Sequence, residues 1–379
     1  MKQLITTFFS VIAVLSLLFS CKSGNAHYSL SRGDTIPMTY AVNLTMVDFD
    51  GYTKVDIRNP WDTTRLLHSY ILVPDSGVVP ENMSGSTIIR TPVKNAVVYT
   101  AVHNRLAAEF GVAGSITGLC DASYIHDPEI VSRLAAGKIV DCGSSMAPDV
   151  ERIIGLKPDA VLLSPYENTN GYGKLSQLGV PIVECADYME ASPLGRAEWM
   201  KFYGRLFGVA ESADSLFADT ERSYLEMKSV AEGAGNRPGV LLDRIYGGAW
   251  YVPGAYSTMG RFIEDAGGRN IFSDYKIAGS AALAPEQVLY RGGDADLWLI
   301  RYAQSVDMTM PQLANDNALY GKLKPFKSGS VYGCNTAVND FYEEMPFHPQ
   351  WLLGELVALI HPELVADTVP ARYFKKLKP

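Results

Sequence analysis

Basic residues are the scarcer charge in this 379-residue chain: 33 lysines and arginines stand against 41 aspartates and glutamates, for a net charge of −8. That shortfall argues against a nucleic-acid partner, which calls for a basic face. Histidine is rarer still, six in all and nowhere clustered. A site for bare zinc or manganese needs three or four converging nitrogen and oxygen ligands, so none is expected. The five cysteines include no Cys-x-x-Cys pair and no zinc-motif spacing. Enzyme signatures are missing too: there is no phosphate loop, no Gly-x-Gly-x-x-Gly after a strand and no Gly-x-Ser-x-Gly elbow. No residue is put forward as catalytic. Two lobes around a cleft also describe many transferases, so an enzyme of that shape stays open as a second class.

What is present begins with an apolar leader. Lys2 gives a positive start, Leu4 to Phe19 is almost wholly apolar, and Leu18-Phe19-Ser20-Cys21 sets a small residue before a cysteine. The run is too short to span a bilayer, so residues 1–20 read as a signal segment. The pattern resembles a bacterial lipoprotein signal, which implies acylation of Cys21 and a chain held at a membrane of the cell envelope. Residues 21–34 then form a polar tether. No acidic run follows Cys21, which favours an anchor facing the periplasm. Cys120, Cys142, Cys185 and Cys334 each end a short apolar run. They are expected as free, buried thiols, and Cys120–Cys142 is the one disulfide worth testing.

Beyond the tether the rhythm changes twice. Tyr40–Val47 and Thr53–Arg58 alternate around Phe49-Asp50-Gly51, and Tyr70–Val73 looks like a third strand, so residues 35–92 read as a small β-rich extension. From Val93, short apolar strands alternate with helices, the mark of a parallel sheet covered on both faces. Arg196 to Glu232 reads as helix divided near Gly208, with Trp199, Phe202, Tyr203, Leu206, Phe207, Leu216, Phe217, Tyr224 and Met227 at helical spacing. Strand–helix alternation restarts after Pro238. The expected fold is α/β: two lobes with mostly parallel sheets flanked by helices (93–195 and 237–379), joined by one long linker helix in the 196–236 region.

One segment occurs in both lobes. Pro148 to Ala160 and Pro285 to Ala295 each run from helix into strand, with a glutamate followed eight residues later by Asp-Ala. Here the chain resembles the substrate-binding proteins of ABC importers for siderophores, haem and vitamin B12, the helical-backbone class. The resemblance runs from about Val93 to Leu364. Its pieces are Glu151 to Leu163, Leu175 to Val183, Met259 to Phe272, and His348-Pro349-Gln350-Trp351 through Leu364. It implies a chelated-metal ligand, an ABC permease as partner, and permease docking by one glutamate per lobe, here Glu151 and Glu286. A helix after a parallel strand starts at the sheet's carboxyl edge, which would put both carboxylates on the rim.

Ligands of open α/β sheets bind beyond the carboxyl ends of the strands. That rule selects His103, Asn104, Asp121, Tyr124, Ser144, Ser145, Met146, Tyr166 and Glu167 in the first lobe. In the second it selects Arg244, Tyr246, Trp250, Tyr256, Arg301, Tyr302, Asn335 and Tyr342. The arginines suit an anionic chelate, the aromatics a flat macrocycle. A ferric siderophore or a corrinoid is the expected ligand; for haem, the alternative, His103 and Tyr166 are the candidates for the iron. A surface lipoprotein with an unrelated ligand is a third class, for which the extension is the main argument.

Overall fold

The computed structural model describes residues 33–167, 172–177, 179–365 and 369–379. The apolar leader, Cys21 and the tether up to residue 32 lie outside the described residues. Asp34–Pro379 form one compact unit.

The first sheet has five strands in sequence order, β1 (Asp34–Ile36), β2 (Leu44–Phe49), β3 (Tyr52–Arg58), β4 (Leu66–Pro74) and β5 (Thr87–Thr91). Asp50-Gly51 turns β2 into β3, and Gly51 takes φ +86°, the left-handed conformation such a two-residue turn requires. β4 and β5 pair in parallel, unlike the rest. The extension is not an appendage. Ile36, Met46, Val55, Ile57, Tyr70 and Ile89 belong to the same buried cluster as Trp199, Phe202, Tyr203 and Leu206.

Two buried glutamates fasten it. Glu198 accepts the backbone N–H groups of Thr39, Tyr40 and Ala41 at 2.9, 2.8 and 2.9 Å. Glu190 accepts those of Val42 and Asn43 and the Trp199 indole N–H. These five main-chain donors lie in a segment without strand partners, so the carboxylates replace a missing ladder. The Tyr70 hydroxyl donates to the Ile182 carbonyl and accepts the Glu184 N–H, bridging to the neighbouring lobe.

Lobe one is a parallel sheet built from β6 (Ala96–Val98), β7 (Ile116–Leu119), β8 (Val140–Asp141), β9 (Ala160–Leu163) and β10 (Ile182–Glu184), in the order β10-β9-β6-β7-β8. Helices α1 (Ala101–Glu109), α2 (Pro128–Ala135) and α3 (Val150–Leu156) connect them. Because strand side chains alternate, Ala96, Val98, Ala160 and Leu162 face one core while Val97, Val161 and Leu163 face another. Both faces are covered, which explains why the strands read as unbroken apolar runs.

Helices α4 (Pro193–Glu198), α5 (Met200–Leu206) and α6 (Ala210–Glu232) lead to lobe two. Gly208 takes φ +74° between α5 and α6. Over its 23 residues α6 buries Ala213, Phe217, Thr220, Tyr224 and Ala231 along one stripe. Gly204 lets α5 approach closely: a Cβ there would lie 2.2 Å from that of Ala213.

Lobe two repeats the plan with β11 (Gly239–Leu242), β12 (Arg269–Asn270), β13 (Leu297–Tyr302), β14 (Val331–Asn335) and β15 (Lys375–Lys376), in the order β12-β11-β13-β14-β15. Only β15, the chain's last strand, is antiparallel. Val240, Leu242, Leu297 and Leu299 face the core shared with the linker, and Leu241, Trp298 and Ile300 the opposite one. A three-stranded antiparallel sheet, Ile245–Tyr246, Ala249–Pro253 and Ser280–Leu283, adds to this lobe. It was not foreseen.

The four cysteines among the described residues are free and buried. Cys120 and Cys142 are not bridged. No helix among the described residues is long and apolar enough to cross a membrane.

Candidate ligand-binding cleft

Where the two lobes face each other lies a cleft of about 560 Å³. Lobe one supplies Tyr99, Thr100 and Ala101 from the end of β6, and Asp121, Ser123, Tyr124 and His126 from the segment after β7. Lobe two supplies Ala303 after β13, and Thr336, Ala337, Asn339, Tyr342 and Glu343 after β14. These are the carboxyl ends of central strands, as the topology rule requires. Tyr124 and Tyr342 come from opposite lobes and remain 71% and 54% exposed, so their rings are free to cover a flat guest.

The floor is ionic. Helix α1 carries Arg105, whose guanidinium meets Glu109 at 3.1 Å, Glu344 at 3.2 Å and Asp127 at 3.5 Å. His348 bonds Glu109 at 2.7 Å, and Arg372 grips Glu344 with two N–H groups at 2.6 Å. Glu109 and Arg105 belong to lobe one, Glu344, His348 and Arg372 to lobe two, so this network ties the lobes together. The His126 backbone N–H donates to Glu343 Oε1 at 2.6 Å, a further link. Desolvation pushes the Glu343 carboxyl up to about 7, although that N–H pulls the other way. Its Oε2 is buried without a partner, as is the Tyr99 hydroxyl.

Of the residues selected from sequence, Asp121, Tyr124 and Tyr342 line this cleft. Asp121 Oδ1 accepts the Ser145 N–H at 3.1 Å, which fixes the neighbouring loop. Ser145, Met146, Tyr246 and Tyr256 are partly or well exposed but do not line it. Tyr166 and Glu167 stand in a separate recess of about 280 Å³ shared with Asn59, Trp61 and Arg65 of the extension.

Five assignments need correction. His103 faces inward from α1, where its Nε2 lies 3.0 Å from both Asp187 Oδ1 and the Tyr203 hydroxyl. Burial opposes the Asp187 charge, but His103 and Arg196 outweigh it and draw that carboxyl down to about 2. Asn104 is buried and donates to the Val98 and Thr100 carbonyls. Trp250 is a core residue of the small sheet, its indole N–H on the Leu242 carbonyl. Tyr302 is buried and accepts the Met308 N–H. Asn335 bridges to Gln304 and Val306. His103 and Asn104 lie in the helix just beyond β6, and Trp250, Tyr302 and Asn335 lie within strands; all five side chains turn into the protein.

The two arginines are not free for a chelate. Arg301 forms a two-pronged pair with Asp243, its Nε at 3.0 Å, and Arg244 bonds Asp316 at 2.7 Å. Glu151 and Glu286 are exposed in the first turns of α3 and of the helix Pro285–Gly292. Neither glutamate directly follows a strand of a parallel sheet: the strand before Glu151, Ala147–Pro148, pairs antiparallel with Gly143–Ser144, and the strand before Glu286 belongs to the three-stranded antiparallel sheet. Tyr99 and Glu343 escaped sequence reading. Tyr99 was legible, since it closes an apolar strand; Glu343 sits in a helix of four residues, Phe341–Glu344, too short to show periodicity.

Two α/β lobes bridged by a helix and facing each other across a cleft form the architecture of two-lobed solute-binding proteins. The pattern of the Periplasmic binding protein family matches residues 96–337, and the chain belongs to that family. Its members bind substrates and are not enzymes. An uncharacterized lipoprotein of Methanocaldococcus jannaschii is 28% identical over 286 residues, 73% of this chain and 67% of the relative. A cobalamin-binding protein of Halobacterium salinarum is 25% identical over 201 residues, 52% of this chain and 53% of its own length. Among solved structures, a periplasmic heme-binding protein of Pseudomonas aeruginosa superimposes with a TM-score of 0.58 at 16% identity, covering 76% of this chain and 99% of that one. The match runs through both lobes and leaves the five-stranded extension outside the family region.

Proposed function

We propose that this chain captures a ferric siderophore or a corrinoid in the interlobe cleft and hands it to an ABC permease. The observation that carries the reading is the cleft itself, about 560 Å³ walled by both lobes with a tyrosine from each side. That size falls within the usual range for small-molecule sites. Neither residue suggested for haem iron lines the cleft, His103 facing inward and Tyr166 standing in the separate recess, which ranks haem behind the other two. Acylated Cys21 would hold the protein at the envelope facing the periplasm, and exposed Glu151 and Glu286 would meet basic residues of the permease.

The test is a melting series on the chain from residue 21 onward, carrying Cys21→Ser so that it stays unacylated. Probes are ferric siderophores, cobalamin, cobinamide and haem. A probe at a hundred times its Kd stabilises the folded state by about 2.7 kcal/mol. That is a rise of a few degrees for a chain this size. Absence of saturable binding by every probe overturns the reading. The pair Glu151→Ala with Glu286→Ala should keep ligand affinity yet abolish uptake in cells; loss of affinity in that variant would refute the docking role.

A further inference from the structure

The cleft holds two buried polar atoms with no partner, the Tyr99 hydroxyl and Glu343 Oε2. The two side chains are 95% and 97% buried, given exposures of 5% and 3%. Native proteins satisfy nearly all such groups, and an exception calls for a reason. One comes from each lobe, and both line the space where a guest would sit. Charge around them is one-sided. Asp121 and Glu343 line the cleft, whereas no lysine or arginine does among the described residues. The nearby guanidiniums are already neutralised, Arg105 by Glu109, Glu344 and Asp127, and Arg301 by Asp243. His126, which also lines it, turns its ring toward Asp340 at 3.3 Å.

We propose that Tyr99 and Glu343 set the ligand's charge class, so that the cleft takes a corrinoid, rich in amide groups and free of acidic ones on its ring, in preference to an anionic ferric catecholate or haem. This rests on the solute-capture reading above. A ring entering edge-on brings peripheral amides to the two unpartnered atoms: an amide N–H donates to Glu343 Oε2, and an amide carbonyl accepts from the Tyr99 hydroxyl. Tyr124 and Tyr342 then cover the faces. Both polar atoms are closed to water in this lobe arrangement, so the ligand reaches them as the lobes part across the His126–Glu343 hydrogen bond. A catecholate complex or a haem propionate meets the Asp121 carboxylate and the acceptor oxygen of Glu343, with no free cation to offset its charge. A site that hydrogen-bonds its ligand also rejects one that leaves its buried groups unpaired.

The experiment is calorimetric titration of the same unacylated chain with cyanocobalamin, cobinamide, a ferric tris-catecholate and haem. Corrinoid binding is expected to be at least about tenfold tighter than that of either anion, a factor equivalent to about 1.4 kcal/mol. Tyr99→Phe should weaken corrinoid binding about tenfold, and Glu343→Leu by at least as much. Glu343→Gln, which keeps an acceptor oxygen and the shape, should stay within about threefold of the parent chain. Tighter binding of the catecholate or haem overturns the inference while leaving solute capture standing. So does unchanged corrinoid affinity in a folded Tyr99→Phe chain, a variant that removes one oxygen from an already unpaired group and should fold even where Glu343→Leu does not. If no probe binds, solute capture itself fails and the inference with it.

Discussion

Replacing Glu198 should separate the extension from the rest of the molecule in energetic terms. Its carboxylate is fully buried and accepts three main-chain N–H groups at 2.8 to 2.9 Å, with Lys201 Nζ also at 3.0 Å. Glu198→Gln keeps one oxygen but points an NH₂ group at N–H donors, so about two charge-assisted bonds are lost. At about 1.5–3 kcal/mol for each hydrogen bond to a charged group, the loss is about 3–6 kcal/mol. Glu198→Ala strands all three donors and should cost at least as much. Urea unfolding, followed by tryptophan fluorescence, measures the change as a lower midpoint. Limited proteolysis supplies the local readout, because new cleavage should appear at residues 37–43 before global unfolding. A loss below about 1 kcal/mol, within the range of an ordinary surface change, with residues 37–43 still protected, would refute the claim that this carboxylate replaces a strand partner. Removing residues 34–92 outright should uncover the shared core around Trp199 and Phe202 and give an aggregating chain, not a trimmed binding protein.

Two further perturbations probe the contacts between the lobes. Burial raises the Glu343 carboxyl to about 7 from its ordinary value of 4.5. The folded state therefore binds the proton more tightly than the unfolded one. Its contribution to stability is fully present below pH 4.5 and is lost as pH rises through 7, a change of about 3 kcal/mol. Glu343→Gln should flatten that part of the stability–pH curve; parallel curves for the two chains between pH 4.5 and 7 would count against it. Arg105→Leu leaves Asp127 and Glu109 without its guanidinium, although Arg372 still holds Glu344. A loss of about 2–3 kcal/mol in chemical unfolding is expected, below the cost of breaking a wholly unsupported buried pair.

Much of the architecture could be read directly, because it depends on local periodicity. The unbroken apolar runs at Ala96–Val98, Ala160–Leu163 and Leu297–Ile300 mark strands buried on both faces, and the stripe through Phe217 and Tyr224 marks the long helix. Asp50-Gly51 marked its hairpin. What escaped depends on partners distant in the chain. Glu190 and Glu198 carry no local signal, since nothing near them in sequence says that their oxygens accept from residues 39–43. For the cleft, the carboxyl-end rule selected the right segments after β6, β7 and β14, yet side-chain direction decided the rest. His103 lies three residues beyond Thr100, one helical turn in, and that turn rotates it away from the guest and onto Asp187. Trp250 escapes local reading because the antiparallel strand that holds it pairs with Ser280–Leu283, far downstream.

The welded extension makes the molecule lopsided in a way that bears on motion. With five extra strands sharing its core, one jaw is a heavy block and the other a lighter arm on the far end of α6. Any opening of the cleft therefore has to carry the five extra strands along with the first lobe as one piece.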